Sequence, residues 1–260
     1  MGADEVRYER VGAAAVLTID RPARRNAVDG PTAAALKEGY EAFVADDDAR
    51  VLVLTGAGDV AFCAGADLKA IASFAPRLRD PDGPLGFTRR TPPKPAIAAI
   101  EGWCLAGGLE LALWCDLRIA GAGARLGFPE RRWGVPLIDG GTQRLPRIVG
   151  LGRGLDLILT GRIVEDDEAL AMGLLTEVVA HGGALGRALE FAEALAAFPQ
   201  DTMLADRHAA IEGLGLPLAE GLALEAAAGP EVFATAVAGA ARFAGGSGRG
   251  GAGAGVRAPG

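Results

Sequence analysis

An α/β fold followed by a helical C-terminal part is what this sequence predicts, and three observations carry the prediction. The first 55 residues have a strand–strand–helix–strand rhythm, a glycine-led helix follows a short apolar strand near residue 100, and the pattern is helical from Ala184 onward. In order, residues 6–10 and 13–19 read as a β-hairpin around Gly12, followed by a turn at Arg21-Pro22. Pro31 opens a helix to about Val44, with Ala34, Leu36, Tyr40 and Phe43 as its apolar positions. Residues 51–55, VLVLT, are apolar throughout, which predicts a strand covered on both faces. Next, GAGDVA (56–61) imitates a dinucleotide-binding G-x-G-x-x-A turn, but Phe62-Cys63-Ala64-Gly65 does not continue as the helix that motif requires. A tight glycine turn is the better reading.

Residues 73–93 contain five prolines and scattered arginines and predict an irregular segment with one short helix, of the kind that lies over a pocket and selects substrates. Residues 96–100 form a strand leading to the glycine-led helix. Further short strands are expected at 116–120, 125–128 and 177–179, and helices at 140–149, 155–160, 184–198, 201–213 and about 217–243. Residues 245–260 are a glycine-rich tail, read as mobile. No internal sequence repeat is detected.

Composition narrows the function. A net charge of −7 argues against nonspecific nucleic-acid binding, and no apolar run approaches the ~20 residues of a membrane span. Cys63, Cys104 and Cys115 lie in apolar stretches without paired spacing, and the first residues are acidic, so a reducing cytoplasm is expected. His181 and His208 lack metal-ligand spacing, and no Cys-His or Ser-His-Asp set is apparent.

The chemistry concentrates between Gly102 and Glu130. Ala106-Gly107-Gly108 leads into LELALW (109–114), which places the glycines at a helix N-terminus. Unpaired N–H groups and the positive end of the macrodipole favour an anion there. Glu110 falls in the first turn beside apolar neighbours, and Glu130 follows in GFPE (127–130). Two carboxylates facing one apolar pocket can divide acid and base roles, because burial and repulsion separate their pKa values. Taken singly, each has a plainer reading: close helix packing for the glycines, a favourable dipole for Glu110, a surface charge for Glu130. Upstream, small residues in AGADLK (64–69) let a ligand approach the backbone, and Asp67 can cap a helix there, leaving the N–H of Ala66 to face the pocket.

The joint pattern resembles the crotonase, or enoyl-CoA hydratase/isomerase, superfamily over nearly the whole chain. The matching stretches are RPARRNAV (21–28), VLVLTGAGDVAFCAGADLKA (51–70), KPAIAAIEGWCLAGGLELALWCDLRIA (94–120), GFPERRWGV (127–135) and GGTQRLPRIVG (140–150). The resemblance implies an α/β spiral of repeated ββα units with a C-terminal helical oligomerisation region. It divides the chain into a core at 1–195, a helical region at 196–244 and the tail at 245–260, and implies a homotrimer or a hexamer of paired trimers. Coenzyme A enters as part of the substrate, with no separate cofactor or metal. By the same resemblance the N–H groups of Ala66 and Gly107 form an oxyanion hole, Glu110 and Glu130 are catalytic, and Arg24, Ala27, Ala64, Asp67 and Leu68 contact the acyl-CoA.

Three departures qualify the match. Val135-Pro136-Leu137-Ile138-Asp139 stands where many hydratases have a glycine-rich turn, and Asp139 reads either as a further acid or as a turn-stabilising residue. The C-terminal part lacks the acidic-Gly and Lys-Arg elements often found in the family. Trp103 and Trp133 lie near the pocket in sequence, either narrowing an acyl channel or, as their size favours, packing in the core. The leading expectation is an enoyl-CoA hydratase with Glu110 as base and Glu130 as acid. A double-bond isomerase and a non-catalytic acyl-CoA binder are the alternatives.

Overall fold

The computed structural model describes residues 5–246 and 248; the expected mobile tail lies almost wholly outside them. The chain divides into two compact units, one ending at Ala192 and the other beginning at Glu193. In the first unit β1 (Val6–Val11) and β2 (Ala14–Ile19) form the hairpin, α1 (Gly30–Ala45) follows, and β3 (Val51–Gly56) pairs parallel with β2. Asp29 caps α1 by accepting from the N–H of Thr32 at 2.9 Å. β5 (Ala96–Ile100), β7 (Leu117–Gly121) and β10 (Glu177–Val179) complete a sheet ordered β1-β2-β3-β5-β7-β10. β2 and β5 are buried along their whole length, and β3 and β7 at all but one end residue each, as their apolar runs require.

A second sheet, ordered β4-β6-β8-β9, comprises β4 (Ala61–Cys63), β6 (Trp103–Leu105), β8 (Arg125–Gly127) and β9 (Ile163–Glu165). All four are three residues long, too few to show a period, and of them only β8, just before the Gly127-Phe128-Pro129-Glu130 turn, is legible in the sequence. The chain repeatedly passes from a strand of the first sheet to one of the second and then into a helical segment. β3 and β4 lead to a 3-10 segment at Leu68–Arg77, β5 and β6 lead to α2 (Gly107–Trp114), and β7 and β8 lead to a 3-10 turn at Pro129–Trp133 and α3 (Gly141–Val149). This is a mixed α/β spiral of ββα units, a repeat of structure that the sequence does not show.

After α3 come α4 (Leu151–Thr160), which begins four residues before the expected 155, and α5 (Asp166–Ala171), which had no distinct sequence signal. α6 (Ala184–Ala196) buries Ala184, Ala188 and Ala192. The second unit contains α7 (Gln200–Gly213) and α8 (Leu218–Ala244), which pack against each other. No helix among the described residues is long and apolar enough to cross a membrane.

Two packing features fix the part of the core that carries the site. α2 is buried from Gly108 to Trp114, and a Cβ at Gly108 would stand 2.1 Å from the carbonyl oxygen of Cys63, so glycine lets the helix start touch the end of β4. Tyr40, Phe87 and Trp114 form an aromatic cluster with centroid separations of 5.1, 5.7 and 4.5 Å, and the Trp114 indole N–H donates to the Arg90 carbonyl at 2.7 Å. The segment around residues 85–90, predicted to be irregular, is thereby clamped between α1 and α2. Gly108→Ala is expected to destabilise the protein by about 1–3 kcal/mol in chemical denaturation, because an overpacked contact against backbone cannot relax by side-chain movement.

Candidate active site

A cavity of ≈ 380 Å³ opens beside the N-terminus of α2. The α2 turn contributes Ala106, Gly107 and Glu110, the end of β4 contributes Ala64 and Ala66, and the 3-10 turn at Pro129–Trp133 contributes Glu130 and Trp133. Leu68, Ile71, Phe74, Leu78, Pro84 and Leu85 form one wall, and the stretch from Gly134 to Asp139 forms another. Apart from the three carboxylates of Glu110, Glu130 and Asp139, the side chains around it are apolar.

Two backbone donors meet at this cavity. Ala66 makes an isolated parallel bridge with Val28, in which Val28 N–H donates to Gly65 O at 2.8 Å and Asp67 N–H donates to Val28 O at 2.7 Å. In that pattern the N–H of Ala66 points away from Val28. Gly107 is the first residue of α2, where an N–H has no intrahelical partner. A Cβ built on Gly107 would lie 3.7 Å from the Ala66 nitrogen, so the two donors are close neighbours. Ala106, the residue before, has φ 53° and ψ −126°, a conformation costly for alanine. Its own N–H donates to Gly127 O at 2.9 Å, which ties the strained turn to β8.

The carboxylates differ in how they are held. Glu110 is 3 % exposed, and its Oε1 accepts from the N–H groups of Asp139 at 2.9 Å and Gly141 at 2.8 Å. Glycine at 141 favours this close approach: a Cβ there would sit 3.1 Å from that same oxygen. Burial raises the Glu110 pKa to about 7 against these bonds, with Asp139 and Glu130 adding repulsion. Glu130 is 6 % exposed, neither of its oxygens has a protein partner, and burial raises its pKa to about 7 as well. Both groups thus titrate near neutrality, one braced by backbone donors and the other with open hydrogen-bonding capacity.

Of the residues singled out in the sequence, Glu110, Glu130, Ala66, Gly107, Ala64 and Leu68 line the cavity, whereas Arg24, Ala27 and Asp67 do not. Arg24 is exposed at the end of a 3-10 turn, and Ala27 is buried beneath it. Asp67 is buried, accepts from the N–H of Lys69 at 3.1 Å and pairs with Arg21 at 3.5 Å; it caps and anchors the loop. Trp133 is 71 % exposed at the cavity mouth, which overturns core packing for it: the short 3-10 turn that buries Glu130 turns the indole outward. Trp103 lies outside the cavity, under the guanidinium of Arg125 at 5.0 Å. The thiols take no part: Cys63, Cys104 and Cys115 are buried, and burial pushes Cys63 up to about 12 and Cys104 higher than an ordinary thiol. Sequence reading missed the wall from Ile71 to Leu85, whose apolar residues recur among prolines without a regular period.

The fold and the site together define an enzyme core in which paired main-chain donors and two buried carboxylates share one apolar cavity. The chain belongs to the enoyl-CoA hydratase/isomerase family, whose pattern matches residues 9–244. It is 37% identical over 242 residues to a short-chain-enoyl-CoA hydratase of Clostridium acetobutylicum, covering 90% of this chain and 92% of that one. It is 34% identical over 239 residues to a crotonyl-CoA hydratase of Syntrophomonas wolfei, with 90% and 92% covered. Among solved structures, the enoyl-CoA hydratase EchA1 of Mycobacterium marinum superposes with a TM-score of 0.87 at 36% identity, covering 92% of this chain and 95% of that one.

The raised carboxylates have a consequence for stability. A group whose folded pKa lies above its ordinary 4.5 contributes stability that is full below 4.5 and is lost as pH rises through about 7. Glu130→Gln removes that pH-dependent loss without breaking a bond, so its Tm relative to wild type is expected to be higher at pH 8 than at pH 5 in calorimetry.

Proposed function

We propose that this chain is an enoyl-CoA hydratase that adds water across the 2,3 double bond of an enoyl-CoA thioester. The observation that carries the reading is that two carboxylates with pKa values near 7, Glu110 and Glu130, line the same cavity as the N–H groups of Ala66 and Gly107. In this reading the thioester oxygen is held by those two donors, which stabilise the enolate formed during addition. Ionised Glu110 takes a proton from water as the water oxygen bonds the β-carbon, and protonated Glu130 gives its proton to the α-carbon. The product is a 3-hydroxyacyl-CoA, and proton exchange with solvent restores the starting ionisation. The partnerless oxygens of Glu130 support it as a second holder of the water. In this reading Ala64 and Leu68, which line the cavity, contact the acyl-CoA. Arg24 would contact the coenzyme from outside the cavity, while Ala27 and Asp67 support the loop beneath.

We also propose a trimer or a pair of trimers. In support, α8 buries none of its residues and leaves Leu218, Leu222, Phe233, Val237 and Phe243 exposed within the second unit. A cytoplasmic setting fits reduced, buried thiols and a coenzyme A thioester substrate.

Loss of the conjugated thioester absorbance of crotonyl-CoA and longer enoyl-CoAs, run in heavy-oxygen water, tests the reaction. Label at the β-carbon hydroxyl is expected; a displaced double bond without label would make the protein an isomerase, and no turnover at any chain length would leave it a binder. The kcat/KM profile should be bell-shaped with its maximum near pH 7. Glu110→Gln and Glu130→Gln should each lower kcat by roughly 10²–10⁴-fold with little change in KM. Because both act on one water, the double variant should lose less than the product of the two, and full multiplicativity would argue that they act independently.

A further inference from the structure

Asp139 lines the cavity at 4 % exposure, yet it does not behave as a turn-stabilising aspartate, which would bond the backbone of its own turn. Its Oδ1 instead accepts from the N–H of Leu85 at 3.0 Å and from the hydroxyl of Thr88, across 54 and 51 residues of sequence. The same residue's N–H, with that of Gly141, holds Glu110 Oε1. Arg144 braces the arrangement from below, donating to the carbonyls of Asp139 at 3.0 Å and Thr88 at 2.5 Å, and Arg89 donates to Ile138 O at 3.3 Å. We propose that Asp139 is a positioning residue for Glu110: its carboxylate fastens the 138–141 turn to the 85–88 wall, and the turn's N–H groups fix one Glu110 oxygen so that the other exchanges the proton. What Glu110 then does rests on the hydratase reading; the tether itself does not.

The alternatives are a direct catalytic acid and a merely structural buried acid. Both carboxylate bonds of Asp139 fall on the wall segment, and its link to Glu110 runs through its main chain, which is the geometry of positioning. Glu110 is faced by Asp139, Glu130 and Arg144, and Asp139 by Arg89, Arg144 and Glu110, so removing the Asp139 charge should lower the Glu110 pKa.

Four proteins decide it: wild type, Asp139→Asn, Asp139→Ala and Thr88→Val, examined by steady-state kinetics with crotonyl-CoA across pH and by ¹⁵N NMR of the amides at positions 139 and 141. Asparagine keeps an acceptor for Leu85 and Thr88, so Asp139→Asn should hold kcat close to wild type while its acid limb moves to lower pH. Asp139→Ala should lose about 10–100-fold in kcat with KM little changed, and Thr88→Val should lose activity in the same sense. In wild type the two amides should titrate with Glu110; in Asp139→Ala that coupling should vanish. Wild-type kcat with titrating amides in Asp139→Ala would overturn the proposal, as would an Asp139→Asn variant impaired like the alanine variant. If Asp139→Ala does not fold, the other two variants carry the same decision. If wild type hydrates no enoyl-CoA, the hydratase reading fails, and the amide titration still tests the tether.

Discussion

The contact between the start of α2 and the end of β4 is the constraint from which the site follows. Gly108 permits the helix to touch the Cys63 carbonyl, and the touching backbones bring the nitrogens of Ala66 and Gly107 to neighbouring positions. Because Glu110 lies in the first turn of that helix, its side chain enters the same space by geometry alone. A strained Ala106, tied to β8 by its N–H, sets the angle at which the helix begins. Strain of this kind, on the order of 1–3 kcal/mol, persists only where surrounding structure overdetermines it.

Burying two carboxylates in an apolar cavity is unfavourable, and the two are treated differently. Raising a carboxyl from its ordinary 4.5 to about 7 disfavours ionisation by roughly 3 kcal/mol. For Glu110 the backbone of the 139–141 turn offsets part of that cost and fixes one oxygen. Glu130 has no brace from another segment; only its own main chain and Arg131 oppose the effect of burial. Burial therefore raises both carboxyls toward neutrality, and what distinguishes them is hydrogen bonding: one oxygen of Glu110 is held by two main-chain N–H groups, whereas those of Glu130 are not.

The wall opposite the carboxylates depends on packing far from the cavity. Tyr40 and Trp114 grip Phe87, and Phe87 carries with it Leu85 and Thr88, the two residues that bond Asp139. An aromatic cluster shared by α1 and α2 is thus coupled through the 85–88 segment to the turn that holds Glu110.

Long apolar runs and glycine placement made much of this legible without coordinates. The strands β2, β3 and β5 and the helix starting at Gly107 follow from local pattern, because a buried strand or a helix start needs only a few adjacent residues to declare itself; the carboxylates at 110 and 130 had plainer readings taken singly and stood out only in the joint pattern. The ordered motifs resembling the crotonase superfamily pointed to the spiral and to the family. Tertiary structure alone decided the second sheet, whose three-residue strands gain meaning only by pairing, and the exclusion of Arg24, Ala27 and Asp67 from the cavity wall. It alone turned Trp133 outward and joined Asp139 to Thr88. Those outcomes rest on pairings between segments distant in sequence and on the direction in which a short turn presents its side chains, and neither leaves a periodicity in the chain.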